Sequence, residues 1–438
     1  MPELRITNGT IITMDARGTV IPGGELEADQ GRITYCGPAR PEPASPTPPG
    51  QTLDARGGLI LPGLINGHTH AAMTLLRGIA DDLPLDTWLE EHIFPTEQRL
   101  TAEAVYWGTL LACAEMIRNG VTSFCDMYLF APQVARAADQ AGMRAVVGEV
   151  IYDFPSPSYG ELENGLDLTR ELIQTYRDHP RIQGAVMPHA LYTCSPSLLE
   201  KAGDICRELE ADMNLHLSET PGETAQVVER YGRRPLDHLE DLGLLNSRLW
   251  VDHAVDLEPG EIERLAAAGV RVAHCPESNM KLASGVADLP AMLRADVAVG
   301  LATDGCASNN DLDLWGEMDS CAKIHKAARL DPTAAPAPEV LALATSRGAR
   351  AFGRPDLGRL EEGCLADVIV IDTNQPHLTP MYNPYSHLVY AVRGSDVIHT
   401  VCQGRVLMED RRLTTLDQDE ILARARELGA SLNGGGRG

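Results

Sequence analysis

The chain has 438 residues, 37 of them Lys or Arg against 62 Asp or Glu, for a formal charge of −25. That length suits one barrel of about 250 residues plus a satellite domain, and so acidic a surface argues against nucleic-acid polymers and anionic membranes as partners. No basic and apolar leader opens the chain, no apolar run approaches a membrane span, and ten scattered cysteines contain no Cys-x-x-Cys pair, so a cytoplasmic protein with reduced thiols is expected.

Residues 4–13 alternate like a strand and turn at Asn8-Gly9, and short strand-like runs follow at 24–28 and 32–36. Residues 37–50, rich in Pro, Ala and Ser, read as a surface loop. The first 58 residues are therefore expected to begin a small β domain. From residue 59 onward, apolar strand candidates alternate with amphipathic helices. The strands are 59–64, 122–125, 145–150, 183–187, 212–217, 249–253, 271–274 and 298–303, with helices around 102–119 and 131–141 among the connections. Eight strands alternating with helices spell an α/β protein with a (β/α)8 TIM barrel, here over 59–362. Residues 366–372 and 397–407 return to strand patterning. Segment 363–412 is thus expected to complete, with 1–58, a discontinuous small β-sandwich built from both chain ends. Residues 413–438 read as a C-terminal helix, about 413–432, and a flexible tail at Gly434-Gly435-Gly436.

Chemistry begins at His68-Thr69-His70. On a strand, residues i and i+2 face one side, so the two imidazoles would share a space from which Thr69 turns away. Such a pair alone is as well explained by accident. However, His216 ends the strand 212–217 and Asp304 follows 298–303. Four ligand-type residues then stand at the carboxyl ends of three strands, the catalytic face of a barrel. Three imidazoles and a carboxylate suit a divalent ion, zinc above all, with a position left for water. His253, at another strand end, would be a core residue in isolation, but beside this group it would orient the water or stabilise an oxyanion. Glu219 is either a helix-initiating carboxylate before Pro221 or a proton shuttle whose pKa burial raises. Residues 181–189 contain no lysine to become a bridging carbamate, which favours one ion. No phosphate-binding glycine loop is present, which removes nucleoside triphosphates and dinucleotides.

Five further motifs occur in order: Met73-Thr74-Leu75-Leu76-Arg77-Gly78, Leu83-Pro84-Leu85-Asp86-Thr87-Trp88-Leu89, Pro188-His189-Ala190-Leu191-Tyr192, His274-Cys275-Pro276-Glu277-Ser278-Asn279 and Thr303-Asp304-Gly305-Cys306-Ala307-Ser308-Asn309-Asn310. With Pro62-Gly63-Leu64-Ile65-Asn66-Gly67-His68-Thr69-His70, the chain resembles, over nearly its whole length, the amidohydrolase superfamily and its 5-methylthioadenosine/S-adenosylhomocysteine deaminases. The resemblance implies a small-molecule nucleoside substrate and hydrolytic deamination of a cyclic amidine. 5′-Methylthioadenosine would become 5′-methylthioinosine with release of ammonia, and S-adenosylhomocysteine, adenosine or 5′-deoxyadenosine are further substrates in range.

It implies one divalent ion, Zn2+ before Fe2+ or Mn2+, on His68, His70, His216 and Asp304. Asp304 would also accept the water's proton, Glu219 would protonate the purine and His253 would assist. His189 would bind another purine nitrogen, Glu97 the ribose hydroxyls and Trp88 the 5′ substituent, with Asp304 and Ser308 counted among the substrate contacts. Members that accept S-adenosylhomocysteine place arginines where Glu149 and Glu161 stand here, which disfavours a carboxylate tail. Homo-oligomers are compatible with this reading. The competing expectations are a deaminase or chlorohydrolase of guanine, a pterin or an s-triazine, and a metal-binding scaffold without catalysis.

Overall fold

The computed structural model describes residues 2–40 and 50–434. Residues 41–49 of the expected loop and the tail from Gly435 lie outside the described residues. The chain opens with β1 (Leu4–Ile12), β2 (Val20–Asp29), β3 (Arg32–Pro38), β4 (Gln51–Asp54) and β5 (Leu59–Pro62). β1 and β2, and β2 and β3, pair antiparallel, while β4 and β5 lie parallel to β1.

Eight strand positions then form the barrel: β6 (Leu64–Thr69), β7 (Val121–Tyr128), β8 (Arg144–Ile151), the interrupted pair β9 (Ile182–Gly184) and β10 (Met187–Pro188), β11 (Met213–Leu217), β12 (Leu249–His253), β13 (Arg271–His274) and β14 (Ala298–Leu301). All their ladders are parallel. The gap between β10 and β11 is bridged by Asn214 N donating to Val186 O (3.0 Å) and His216 N to His189 O (3.0 Å), and the seam between β14 and β6 by Asp304 N donating to His68 O (3.0 Å). Every residue of β6, β7, β8, β11, β12, β13 and β14 is buried, as parallel strands covered on both faces must be.

The chain closes with β15 (Val368–Ile371), β16 (Val397–Cys402), β17 (Arg405–Glu409) and β18 (Arg412–Leu413). β15 pairs antiparallel with β5, so both chain ends share one nine-stranded sheet in the order β18-β17-β16-β15-β5-β1-β2-β3, with β4 also on β1. Ile6, Leu26 and Ile33 from one end and Val368, Val370 and Val401 from the other bury themselves in a core apart from that of the barrel.

Two expectations need correction. The apolar run 59–64 is not one barrel strand. It divides at Gly63, whose N–H donates to Asp367 O (2.9 Å) and where a Cβ would meet the Thr122 side chain at 2.4 Å. Leu59–Pro62 therefore joins the outer sheet, and the barrel starts at Leu64. Residues 412–413 are strand, and the last helix spans Gln418–Gly434. Among the described residues no helix is long and apolar enough to cross a membrane, and all ten cysteines are free.

Candidate active site

β6 carries His68, and His70 follows at its end. Thr69 between them turns away, its Oγ1 lying 2.9 Å from Cys125 O and 3.0 Å from Asp126 Oδ2. The His68 ring centroid is 4.7 Å from that of His70 and 4.9 Å from that of His216 at the end of β11. Asp304 follows β14 in a left-handed conformation (φ 61°), with Oδ1 3.5 Å from His68 Nε2 and 3.3 Å from His70 Nε2. The four residues meet as the strand ends predict.

The outward ring nitrogens are held by oxygen. His70 Nδ1 lies 2.5 Å from Met127 O, and His216 Nδ1 lies 2.8 Å from His189 O. A carbonyl only accepts, so both Nδ1 atoms donate. His68 Nδ1 lies 3.1 Å from Asp252 Oδ2. All three Nε2 atoms are thereby free to serve as ligands.

Burial pushes His68 down to about 4 and His216 well below its ordinary value. Burial also opposes charge on His70, but the adjacent Asp304 outweighs it and raises that imidazole to about 9. Burial acts against the Asp304 anion too, yet His68 and His70 hold it well below the usual carboxylate range. The cluster thus calls for positive charge beside Asp304. His68 Nε2, fully buried, has no hydrogen-bond partner, a costly condition that a ligated cation would relieve. Ligand atoms of His68, His70 and His216 lie within 4.8 Å of one another, as do those of His68, His253 and Asp304. The donor set fits a borderline divalent ion.

Around this cluster stand the proton-handling groups. His253, left-handed at φ 68°, has Nδ1 2.9 Å from Asn279 Oδ1 and Nε2 3.9 Å from Glu219 Oε2. Burial lowers the His253 pKa, but Glu219 and Asp304 more than reverse this. Glu219 is not the cap of the following helix, Pro221–Tyr231. Thr220 is, accepting from Glu223 N (3.0 Å). The Glu223 carboxylate in turn receives Ser218 N at 3.1 Å and Glu219 N at 2.6 Å. Glu219 is left to face the cavity, where burial raises its pKa against the pull of His253. Asp304 Oδ2 accepts from Ser278 (2.7 Å) and Ser308 (2.8 Å), and Oδ1 from Gly305 N (2.7 Å).

A cavity of about 600 Å3, counted to its mouth, brings His70, His216, Glu219, His253 and Asp304 together with Glu97, His189 and Trp88. Most of its other walls are Met, Leu, Ile, Phe and Tyr, and no Lys or Arg lines it among the described residues. Trp88 donates its indole N–H to Ala80 O (3.2 Å). Burial raises Glu97 to about 7 against the Tyr128 hydroxyl and His70, which lower it. His189 is pushed to about 3 by burial and by its histidine neighbours, and its Nδ1 lies 2.9 Å from Thr193 Oγ1.

Four expected residues do not line the cavity. His68 is fully buried beside His70 and His216. Ser308 is spent on Asp304. Glu149 is buried, with its oxygens 3.1 Å from Phe130 N and 2.8 Å from Ala131 N. Glu161 precedes the helix Leu162–Thr175. The reason for disfavouring a carboxylate tail is therefore the absence of cationic lining, not these two glutamates. Sequence reasoning missed Asp252, Ser278, Asn279, Glu223 and Thr193. The signals were an acid directly before His253 and the polar pair inside the His274–Asn279 motif.

The amidohydrolase family model matches residues 59–407. A 5-methylthioadenosine/S-adenosylhomocysteine deaminase of Syntrophobacter fumaroxidans is 56% identical over 431 residues, 98% of each chain. A 5′-deoxyadenosine deaminase of Methanosarcina mazei is 42% identical over 434 residues, 99% of each chain. Among solved structures, an adenosine deaminase from Xanthomonas campestris with bound zinc superposes with a TM-score of 0.95 at 38% identity, covering 99% of both chains. Whole-length identity of this order, over the barrel whose strand ends assemble the histidine and aspartate cluster, means that the chain belongs to the amidohydrolase family, in its 5-methylthioadenosine/S-adenosylhomocysteine deaminase branch.

Proposed function

We propose that this protein deaminates 5′-modified adenosines to the corresponding inosines by hydrolysis. The observation that carries the reading is one cavity uniting His70, His216, Asp304, Glu219 and His253 with a further buried carboxylate, Glu97, and with His68 packed against His70 and His216. His68, His70, His216 and Asp304 would hold one divalent ion, zinc first and Fe2+ or Mn2+ as alternatives. When bound, such an ion acidifies water and polarises the attacked centre.

The chain's own groups do the rest. Asp304, kept anionic and fixed by Ser278 and Ser308, accepts a proton from the attacking water. His253, anchored by Asn279, orients that water through Nε2. Glu219, whose burial favours the acid form, protonates the ring nitrogen beside C6 as the C6–O bond forms. The C6–N bond then breaks, the amino group departs as ammonia with the proton that Asp304 took from water, and the C6 hydroxyl returns its proton to Glu219 as the inosine carbonyl forms. The Thr193 hydroxyl lies 2.9 Å from His189 Nδ1 and 3.2 Å from Ala190 O; turned to the nearer ring nitrogen, its one proton leaves His189 with Nε2–H for a second purine nitrogen. Glu97 accepts the ribose hydroxyls, and Trp88 covers the 5′ group.

Apolar walls without Lys or Arg favour a neutral 5′ substituent, so methylthioadenosine and 5′-deoxyadenosine rank before S-adenosylhomocysteine. A free base would offer Glu97 no ribose hydroxyls to accept, and a scaffold would have no use for Glu219 and His253. We infer further a cytoplasmic location. The separate core shared by the two chain ends supports a distinct β-sandwich domain from 1–58 and 363–412, to which the strand pairing adds Leu59–Pro62.

Ammonia release should be measured with methylthioadenosine, 5′-deoxyadenosine, adenosine, S-adenosylhomocysteine and guanine. The two neutral 5′-deoxy nucleosides are expected to show the highest kcat/KM. Turnover of guanine alone would overturn the reading. Glu97→Gln is expected to raise KM for nucleosides about tenfold or more, the loss of a charge-assisted hydrogen bond, and an unchanged KM would remove Glu97 from ribose binding.

A further inference from the structure

A second group of metal-type donors lies on the other side of the barrel wall. Cys321 and His325 stand one turn apart on the buried face of the helix Leu314–Arg329, and β13 ends beside them at His274. His274 Nε2 is 3.0 Å from His325 Nε2, and one donor atom from each of the three residues lies within 4.8 Å of the others. All three are buried, at 2%, 0% and 1% exposure. None lines the catalytic cavity.

A hydrogen bond between two neutral imidazoles explains the short nitrogen contact. It does not explain a thiol brought to the same point. Two ligands at i and i+4 of a helix plus one from a neighbouring strand is an economical way to build a metal site. Two nitrogens each about 2.0 Å from a tetrahedral ion stand roughly 3.3 Å apart, so the rings are close to ligating separation. Imidazole and thiolate together select a borderline or soft ion over Mg2+ or Ca2+. A route in also exists, because His325 borders a surface depression beside Asp288 and Arg329.

We propose that His274, Cys321 and His325 form a second metal site, for Zn2+ or a similarly thiophilic divalent ion, separate from the catalytic centre. On binding, the Cys321 thiol loses its proton to solvent and the sulfur–metal bond forms, with both imidazoles as neutral donors and water in the fourth position. The ion would tie the helix Leu314–Arg329 to β13. Because His274 O accepts Ala302 N at 2.9 Å, the same tie steadies the segment that presents Asp304.

Cobalt distinguishes the two centres, since the catalytic one offers only nitrogen and oxygen donors. Full-length protein reconstituted with Co2+ is expected to bind two ions per chain and to show a thiolate-to-cobalt charge-transfer band. In Cys321→Ser the band should vanish and the stoichiometry fall to one, while deamination stays within about twofold. In His325→Gln, which keeps the sulfur, cobalt should bind this site at least about tenfold more weakly, by the loss of one ligand. Wild-type protein that binds one cobalt ion and shows no thiolate band would overturn the proposal, and so would a band that survives Cys321→Ser.

Discussion

Asp252 lies 3.1 Å from His68 Nδ1, the ring nitrogen turned away from the cluster, and neither atom has another hydrogen-bond partner. A carboxylate behind a ligating imidazole fixes its tautomer and raises its basicity. Asp252→Asn is therefore expected to weaken the protein's hold on its catalytic ion about 10- to 100-fold, read by competition with a chelator. Unchanged affinity would show that Asp252 does not position His68. Glu219→Gln should act differently, lowering kcat by about 10^2- to 10^4-fold with ion content and substrate KM little altered. A parallel loss of the ion would move Glu219 from proton transfer to site structure. The residues that touch the cluster were legible because each occupies a strand end, where alternation fixes its face. Asp252 and Asn279 were not, because their partners, His68 and His253, come from other elements: His68 meets Asp252 only across the closed barrel, and His253 meets Asn279 only once β12 and β13 pair.

Among the elements, Glu149 shows what alternation cannot tell. Its place on β8 is as expected, yet its carboxylate caps the helix Ala131–Ala141 from a neighbouring strand. That helix has no side-chain cap of its own, and Phe130 enters it in a left-handed conformation at φ 53°. Ala131 N–H thus depends on one buried glutamate, while Phe130 N–H is shared between Glu149 and Ser158 Oγ, each at 3.1 Å. Glu149→Ala is expected to cost about 2–3 kcal/mol, as for leaving buried donors unsatisfied, with little change in substrate preference. A lower melting temperature at unaltered kcat/KM ratios between methylthioadenosine and S-adenosylhomocysteine is the result that checks it. A shift in that ratio would return Glu149 to the substrate pocket. Seven of the eight barrel positions were readable from apolar runs alternating with helices. The break at Gly63 was not, because 59–64 is uniformly apolar and only pairing assigns its two halves to different sheets.

Across the whole molecule, buried ionisable groups set a pH dependence whose sign can be worked out. Glu97, Glu149 and Glu223 are each raised from 4.5 to about 7, chiefly by burial. Between those values the folded chain holds protons that the unfolded chain has released, so their stabilising contribution is full below 4.5 and is lost as pH rises through about 7. The buried histidines act in the opposite sense. His189 is lowered to about 3 and His325 to about 4 from 6.5, so the stability they contribute is present above 6.5 and is lost as pH falls towards those values. Above about pH 7.5 these histidines are almost wholly neutral in both states, and the carboxylates decide the slope. The acidic excess behind the formal charge of −25 adds self-repulsion in the same direction. The melting temperature is therefore expected to fall between pH 7.5 and 8.5 at fixed ionic strength. Glu149→Gln should make that decline shallower, even though its amide replaces one accepting oxygen and lowers the starting value. A melting temperature that rises over this interval, or a slope that Glu149→Gln leaves unchanged, would show that these carboxylates are already ionised in the folded protein.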